Sequence, residues 1–225
     1  MTDHVTIAAT GVLFDCDGVL VDSDASVLSA WTRWALRYDQ DPGTIEQLVH
    51  GRRAADTVES LIGADRRAAA LSDINTFEVE DAVTVTPIPG AASLVGSIPR
   101  DRWAVVTSGN RTLATARLAA AGIPDAEVVI TADDVTDGKP HPEGYRTAAK
   151  LIGLSPAQTV VFEDADSGVI AARAAGVSAV IGVGVRALQT DADVVVRNLD
   201  GISWTGNGLA IDKRALLRAP GDPAS

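Results

Sequence analysis

The chain has 225 residues, of which 46% are hydrophobic and 22% charged, and this length suffices for one large domain or for a core with a smaller insertion. Its 19 basic and 30 acidic residues give a formal net charge of −11, which argues against nucleic acid as the main partner and against an anionic membrane surface. No stretch approaches the roughly 20 apolar residues of a membrane span. A small anionic substrate remains compatible, because a local group of cations can override the overall charge.

The N-terminal segment MTDHVTIAATGV has no basic region before its apolar run, so it predicts a β-strand and not a signal peptide. The chain contains one cysteine, Cys16, which excludes an internal disulfide framework and a metal site built from several thiolates. We therefore expect a soluble, reduced, cytoplasmic protein. We also expect it to be a monomer.

Short β-rich apolar runs alternate with alanine-rich segments along most of the chain. The runs predict strands and are VTIAATGVLF, WAVVTS, EVVITA, TVVFED, VSAVIGVG and DADVVV. Between them, RTLATARLAAAG, HPEGYRTAAKLIG and DSGVIAARAAG have helical spacing and end in a glycine, which commonly terminates a helix. This alternation predicts an α/β fold, a Rossmann-like doubly wound parallel sheet with helices on both faces.

Residues 22–86 interrupt this alternation, because their patterns are helical only. SDASVLSAWTRWALRY, GTIEQLVHG, RRAADTVESLIG and ADRRAAALSDINTFEVEDA predict an inserted helical cap, and PIPG at 87–90 marks the return to the α/β pattern. We therefore assign residues 1–21 and 87–225 to a catalytic core and residues 22–86 to a cap domain that can hinge against it. The last twenty residues are rich in Gly, Pro and Asp at their end, and we expect them to fray.

Polar side chains stand at the predicted ends of several strands, and the carboxyl ends of parallel strands are where ligands bind in such folds. The candidates are Asp15 and Asp17 after the first strand, Thr107 after WAVV, Lys139 in the loop after EVVITA, and Glu163 and Asp164 in TVVFED. Singly, each is also compatible with a turn, a helix cap or a surface charge. A calcium loop that begins at Asp15 is excluded, since glycine is fourth and not sixth and the twelfth residue is Ser26.

Jointly, these groups are suited to phosphoryl transfer. Asp15 and Asp164, with a backbone carbonyl, offer the oxygen ligands that Mg²⁺ prefers. Thr107 and Lys139 supply a hydrogen-bond donor and a positive charge for the phosphoryl oxygens. A carboxylate is then a competent nucleophile toward phosphorus, and Asp17 can serve as acid and afterwards as base.

The motifs DxDGxLxDS, hhhTSG, GKPHPxxY and hhFEDAxxG occur here in this order, and together they resemble those of the haloacid dehalogenase superfamily of hydrolases. The resemblance covers essentially the whole chain, including the helical cap. HGRR at 50–53, RWAVVTSGNR and ITADDVTDGKPHPEGY more narrowly resemble the glycerol-phosphate and 2-deoxyglucose-6-phosphate phosphatases of that superfamily.

This resemblance implies a Mg²⁺-dependent phosphatase whose partner is a small phosphorylated sugar or polyol. It implies that Asp15 is the nucleophile that forms an aspartyl-phosphate and that Asp17 is the general acid and base. Thr107 and Lys139 would bind the phosphoryl group. The metal would be held by oxygen atoms of four residues: Asp15, the Asp17 carbonyl, Asp164 and, directly or through water, Glu163.

Substrate selectivity is expected to come from two places, the loop beside the phosphoryl group and a turn of the cap. The predicted substrate-binding residues are Ser108, Gly109 and Asn110 in the loop and His50 and Arg52 in the turn. Gly51 lies between the last two and permits a tight turn, while Arg53 is an alternative to Arg52.

Other activities of this superfamily can be judged by whether the chain has the residues that they require. Asp17 argues against a dehalogenase, and the predicted cap has no lysine for the Schiff base of phosphonate-cleaving relatives. Segment 22–28 lacks the hinge histidine of hexose-phosphate mutases, so a sugar phosphomutase is a weaker alternative. A non-catalytic binding protein with this fold is a second alternative, although no catalytic group is missing.

GVGVRA at 182–187 resembles a dinucleotide-binding fingerprint but leaves too few residues for the helix that should follow.

Overall fold

The computed structural model describes residues 3–222, without the side chain of Gln47. Its α-helices are α1 Asp24–Arg37, α2 Pro42–Val49, α3 Ala54–Leu61, α4 Arg67–Asp81, α5 Ala91–Ser97, α6 Arg111–Ala120, α7 Glu143–Leu151 and α8 Asp166–Ala175. Its strands are β1 His4–Ala8, β2 Gly11–Phe14, β3 Val21–Asp22, β4 Thr86–Pro87, β5 Trp103–Val106, β6 Val129–Ile130, β7 Thr159–Glu163, β8 Ala179–Val183, β9 Val194–Val196, β10 Ile202–Trp204, β11 Gly208–Asp212 and β12 Leu216–Arg218. Among these helices, none has both the length and the apolar character that crossing a lipid bilayer requires.

A seven-stranded sheet forms the centre of the molecule, in the order β12-β9-β8-β7-β2-β5-β6. Six of its strands are parallel, and β12 at one edge runs antiparallel to β9. Successive residues of β2 face opposite sides, so Val12 and Phe14 pack into one apolar cluster and Leu13 into another. Residues of α5 contribute to the first cluster, and residues of α7 and α8 to the second. The predicted doubly wound α/β fold is confirmed.

The structure corrects the prediction of a single first strand. VTIAATGVLF forms parts of two strands in different sheets, because the chain bends at Thr10. Strand β1 pairs antiparallel with β11 in a three-stranded sheet, whereas β2 lies at the centre of the main sheet. The amides of Ala9 and Thr10 donate to the carbonyls of Asn207 and Gln158, which lie on separate segments.

The prediction that the last twenty residues fray is wrong for most of them. Strand β11 buries Leu209 and Ile211 completely, and β12 pairs with β9. The guanidinium group of Arg218, near the end of the described chain, donates to the carbonyls of Leu188, Thr190 and Ala192. Buried strand residues therefore outweigh the turn-rich composition of this segment. Residues 223–225 lie outside the described residues.

The four helices α1–α4 lie between β3 and β4 and share an apolar cluster of their own. Trp34 is fully buried there, and its indole nitrogen donates to the carbonyl of Ala70 at 2.8 Å. Strands β3 and β4 pair antiparallel, with Val21 opposite Pro87, so both chain connections to this helical unit run side by side. We call α1–α4 the cap; its boundaries at 22 and 86 as a separate domain remain a prediction.

Candidate active site

Strand register places the predicted catalytic residues at one edge of the central sheet. Phe14 in β2 is paired with Val105 in β5 and with Phe162 in β7. Asp15 and Glu163 follow one residue after this level at the ends of β2 and β7, and Thr107 follows two residues after it at the end of β5. The side chains of all three residues are buried, which is uncommon for polar groups without partners.

Lys139 connects two of the strand ends through its ammonium group. Its Nζ donates to Asp15 Oδ1 at 2.5 Å, to Glu163 Oε1 at 2.6 Å and to the carbonyl of Val106 at 3.1 Å. Burial alone would lower the pKa of Lys139, but the two carboxylates outweigh it and raise the pKa above its usual value. Lys139 is therefore a fixed, buried cation beside Asp15.

Glu163 is surrounded by hydrogen-bond donors on both carboxylate oxygens. Oε1 accepts from Lys139 and from the hydroxyl of Tyr145 at 2.6 Å. Oε2 accepts from the backbone amides of Asp164 at 3.0 Å and Ala165 at 3.4 Å. These donors engage both oxygens, so the geometry makes Glu163 an acceptor that holds Lys139.

Asp164 lies close to the turn that follows Asp17. Gly18 has a φ of +77°, and a Cβ atom there would lie 2.3 Å from Asp164 Oδ2, so this approach requires glycine. Arg186 donates to Asp164 Oδ2 and also to Asp24 Oδ2 of α1 at 2.8 Å. Burial and the neighbouring Glu163 raise the pKa of the Asp164 carboxyl to about 7, although Arg186 opposes the shift.

The carboxylates at this edge fit a divalent metal ion. Asp15, Glu163 and Asp164 each offer one oxygen, and these atoms lie within 4.8 Å of one another. Burial raises the pKa of Asp15, Lys139 lowers it, and the neighbouring carboxylates raise it further, so the net shift is upward. Such a concentration of buried carboxylates suits a hard cation such as Mg²⁺, which would reverse the direction of these shifts. Since donors already engage Glu163, Asp15 and Asp164 are the better placed ligands.

Asp17 is held on the cap side of the site. Its Oδ1 accepts from Ser23 Oγ at 2.7 Å and from Arg117 Nη1 at 3.0 Å. Arg117 belongs to α6 of the core, and its Nη2 lies 3.6 Å from Oε1 of Glu78 in α4 of the cap. Asp17 therefore has partners that differ from those of Asp15, although the two residues are separated by one position.

The loop after Thr107 forms hydrogen bonds between the core and the cap. Thr107 Oγ1 accepts from the amide of Gly109 at 3.0 Å. Ser108 Oγ donates to the carbonyl of Gly51 at 2.9 Å. Asn110 accepts from the amide of Leu113 as the N-cap of α6, and its Nδ2 donates to Asn75 Oδ1 of α4 at 3.2 Å. The loop residues thus hold the cap against the core and also line the space between them.

The cap turn has the tight geometry that glycine permits. Gly51 has a φ of +71°, and its carbonyl also accepts from Ser167 Oγ at 3.0 Å. His50 and Arg52 line the cavity between cap and core, and burial lowers the pKa of His50. Arg53 also lines it, but its guanidinium group is engaged by both carboxylate oxygens of Asp56 and by the carbonyl of Thr136. The cap is therefore closed on the core.

A cavity of about 200 Å³ lies between the two parts. Asp15, Asp17, Thr107 and Asp164 line one part of it. Its other lining residues include apolar side chains of the cap, among them Val27, Trp31 and Leu71. The cavity therefore brings these four predicted site residues together with a mixed polar and apolar lining.

Several residues of this site were not predicted from the sequence, namely Ser23, Glu78, Arg117, Tyr145 and Arg186. For Glu78 and Arg117 the sequence does contain a detectable pattern, because each is a charged residue on the buried face of a helix. Glu78 follows Ala70 and Ile74 at intervals of four, and Arg117 follows Leu113 by four. Arg186 had no such pattern; it lies in GVGVRA, which forms a strand end and a short 3₁₀ turn.

Known proteins are similar to this chain over most of its length. A sequence model of haloacid dehalogenase-like hydrolases matches residues 9–176. Hexitol phosphatase A of Escherichia coli strain K12 is 36% identical over 203 residues, which cover 87% of this chain and 94% of that protein. 2-Deoxyglucose-6-phosphate phosphatase 1 of Saccharomyces cerevisiae is 32% identical over 227 residues, covering 87% and 90%.

A solved structure supports the fold assignment. β-Phosphoglucomutase from Clostridium difficile superposes with a TM-score of 0.76 at 21% identity, covering 85% of this chain and 92% of that one. This likeness shows the fold alone. The resemblance predicted from the motifs is confirmed by the family match and by the two relatives, and the chain belongs to the haloacid dehalogenase-like hydrolases.

Proposed function

We propose that this hydrolase is a Mg²⁺-dependent phosphatase of small sugar or polyol phosphate monoesters that works through an aspartyl-phosphate on Asp15. The observation that carries the proposal is the buried contact between Lys139 Nζ and Asp15 Oδ1 beside further carboxylates. In this contact a buried cation lies next to a carboxylate, which is the arrangement that attack by Asp15 on a phosphoryl group bound by Lys139 would require. The substrate class is supported by the names of two relatives, a hexitol phosphatase and a 2-deoxyglucose-6-phosphate phosphatase.

In the first half-reaction, an oxygen of Asp15 forms a bond to phosphorus while the ester P–O bond breaks. Lys139 and Thr107 bind the non-bridging oxygens, and protonated Asp17 gives its proton to the departing alcohol oxygen. Mg²⁺ held by Asp15, Asp164 and the Asp17 carbonyl would neutralise charge on the phosphoryl group. The closed cap would exclude bulk water during this step.

In the second half-reaction, the Asp17 carboxylate takes a proton from a water molecule. The oxygen of that water attacks phosphorus, the bond to Asp15 breaks, and inorganic phosphate leaves. Asp15 is thereby restored as a carboxylate and Asp17 as an acid. Ser23 and Arg117 hold Asp17 in place for both proton transfers.

A sugar phosphomutase is the less supported alternative. The likeness to β-phosphoglucomutase extends to the fold alone, and segment 22–28 contains no histidine. Transfer of the phosphoryl group back to the sugar would give an isomer and little free phosphate. The predicted monomer and the predicted cytoplasmic location are not tested by these observations and stay predictions.

Phosphate release from a substrate panel tests the proposal. The panel contains hexitol, sugar, glycerol and nucleoside phosphates, each assayed with Mg²⁺ and with EDTA. We expect release from the sugar and polyol phosphates, and only with Mg²⁺. Release that is unaffected by EDTA would contradict the metal requirement. Formation of an isomeric sugar phosphate without free phosphate would establish the mutase instead.

A further inference from the structure

Glu78 and Arg117 form a buried charged pair across the boundary between cap and core. Glu78 is 7% exposed and Arg117 is 2% exposed. Their closest atoms, Arg117 Nη2 and Glu78 Oε1, are 3.6 Å apart, which is too long for a good hydrogen bond. Among residues 3–222, Nε and Nη2 of Arg117 have no hydrogen-bond acceptor. Leaving a buried donor unsatisfied costs about 1–3 kcal/mol, so a partner is expected when the protein works.

The surroundings of this pair can hold a small molecule. Glu78 and Arg117 line the cavity of about 200 Å³, as Asp17 does. A single water needs only about 10–15 Å³, so this space accommodates a ligand of several atoms. Val27, Trp31 and Leu71 supply apolar walls close to these polar groups. Apolar walls with a few convergent polar groups are typical of sites for small organic ligands.

The charge around the cavity limits which ligands fit. Its lining includes six Asp or Glu side chains and four Arg side chains. Bound Mg²⁺ would balance Asp15 and Asp164, so the four remaining carboxylates equal the arginines in number. Beside the pair itself, however, the carboxylates of Glu78 and Asp17 face the single guanidinium group of Arg117, which disfavours a second negative charge on the substrate there. A neutral alcohol portion has no such penalty. Its carbon atoms can pack on the apolar walls while its hydroxyl groups reach the charged pair.

We propose that Glu78 and Arg117 bind hydroxyl groups of the substrate's alcohol portion, and that they select neutral polyol or sugar phosphates over phosphate esters that carry a carboxylate. This inference rests on the proposed phosphatase function. A hydroxyl that lies beside the pair donates to the carboxylate of Glu78 and accepts from the guanidinium group of Arg117, since their closest atoms are only 3.6 Å apart. Because Nη1 of the same guanidinium group donates to Asp17, the hydroxyl is also positioned relative to the acid that protonates the leaving oxygen.

The test compares three substrates in the full-length enzyme with Mg²⁺. They are sorbitol 6-phosphate, 2-phosphoglycolate and para-nitrophenyl phosphate, which represent a neutral polyol, a carboxylate and an ester without hydroxyl groups. The variant is Glu78→Gln, which keeps the shape of the side chain and removes its charge. Glu80→Gln is the matched control, because Glu80 lies on the same helix, is exposed and does not line the cavity. Assays are run at pH 8, since burial raises the pKa of Glu78 to about 7.

We expect the parent to prefer sorbitol 6-phosphate to 2-phosphoglycolate in kcat/KM. Glu78→Gln should lower kcat/KM for sorbitol 6-phosphate by about tenfold more than for the aryl ester, a difference of ~1.4 kcal/mol. Glu78→Gln should also lower the ratio of kcat/KM for sorbitol 6-phosphate to kcat/KM for 2-phosphoglycolate. Glu80→Gln should change neither this ratio nor the ratio to the aryl ester. Both ratios are measured within one preparation, so partial unfolding of the variant does not affect them.

Equal losses on the polyol and aryl esters would overturn the inference, because Glu78 would then act on the chemistry and not on the hydroxyl groups. The inference would also be overturned if Glu78→Gln kept the parent's preference for sorbitol 6-phosphate over 2-phosphoglycolate. In both cases phosphate release by the parent would still support the proposed function. Absence of release from all three esters by the parent would instead reject the proposed function and this inference with it.

Discussion

The hydroxyl of Tyr145 donates a 2.6 Å hydrogen bond to Glu163 Oε1, the same oxygen that accepts from Lys139. Tyr145 is fully buried, and this burial raises the pKa of its phenol well above the usual value. The phenol therefore stays protonated and remains a donor at neutral pH. Tyr145 thus fixes the carboxylate that holds Lys139 beside Asp15.

Replacing Tyr145 with phenylalanine removes this donor and leaves the ring in place. A hydrogen bond to a charged group contributes about 1.5–3 kcal/mol, so kcat for para-nitrophenyl phosphate should fall by about tenfold or more. Tyr38→Phe is the matched control, because its hydroxyl donates to Asp73 within the cap and does not line the cavity. Equal kcat values for the two variants would show that Tyr145 does not position Lys139.

Asp15→Asn tests the nucleophile itself. An amide is a poor nucleophile and a weaker metal ligand, and the exchange changes almost no volume, so turnover should fall by several powers of ten, each ~1.4 kcal/mol. Circular dichroism should show an intact fold. Asp101→Asn, at an exposed carboxylate that does not line the cavity, should keep the parent rate. Turnover of Asp15→Asn above a few per cent of the parent rate would contradict an aspartyl-phosphate.

The residues whose positions follow from strand register could be predicted from the sequence. Asp15, Thr107 and Glu163 stand at the ends of apolar runs, and parallel pairing of those runs brings their ends together whatever the helices do. Gly51 was predicted to make a tight turn, and its positive φ confirms this. Local pattern and sheet geometry are sufficient for such features.

Other features depend on contacts that no local pattern contains. Glu78 and Arg117 meet only because α4 of the cap packs against the core, so each helix by itself shows no more than a charge on a buried face. VTIAATGVLF is one uninterrupted β-rich run in the sequence, which does not indicate that β1 and β2 enter different sheets. Likewise, the glycines near the C-terminus indicated turns, whereas burial of Leu209 and Ile211 stabilises a strand.

Asp17→Asn should separate proton transfer from metal binding. General acid catalysis typically raises the rate 10²–10⁴-fold, so turnover should fall by a factor in this range. The fall should be larger for sorbitol 6-phosphate than for an aryl ester, because an aryl leaving group needs less protonation. Calorimetry should show Mg²⁺ affinity close to that of the parent, because the expected ligand is the main-chain carbonyl. Asp164→Asn is the comparison and should lose Mg²⁺ affinity. Collapse of Mg²⁺ affinity in Asp17→Asn would assign its side chain to the metal.

Arg52→Ala tests the cap turn. Arg52 lines the cavity, whereas the guanidinium group of Arg53 is already engaged by Asp56 and Thr136. We expect kcat/KM for sorbitol 6-phosphate to fall by about tenfold, ~1.4 kcal/mol. Arg66→Ala, at an exposed cap arginine outside the cavity, should have no effect. A smaller loss on an aryl ester would indicate a contact to hydroxyl groups, and an equal loss a contact to phosphate. No loss on either ester would remove Arg52 from the site.

Glu78→Gln should also change how stability depends on pH. Burial raises the pKa of this carboxyl from 4.5 to about 7, although Arg117 opposes the shift. The unfolded chain therefore releases the Glu78 proton at lower pH than the folded protein does. As pH rises from about 4.5 to 7, the parent loses folding free energy, and the loss is complete above pH 7. A glutamine does not titrate, so the variant lacks this loss.

The difference in unfolding free energy between the variant and the parent should therefore shift in favour of the variant by up to about 3 kcal/mol between pH 4.5 and pH 8. For a chain of this length, that corresponds to a relative gain in Tm on the order of 5–10 °C. This change is measured from the Tm of the variant and of the parent at both pH values, in EDTA. Other buried carboxyls titrate in both proteins, so their contributions to the difference largely cancel. Glu80→Gln, at an exposed carboxylate, should show no such shift. A difference between Glu78→Gln and the parent that is the same at both pH values would mean that Glu78 is not held at a raised pKa, because only a titrating buried carboxyl makes the difference depend on pH.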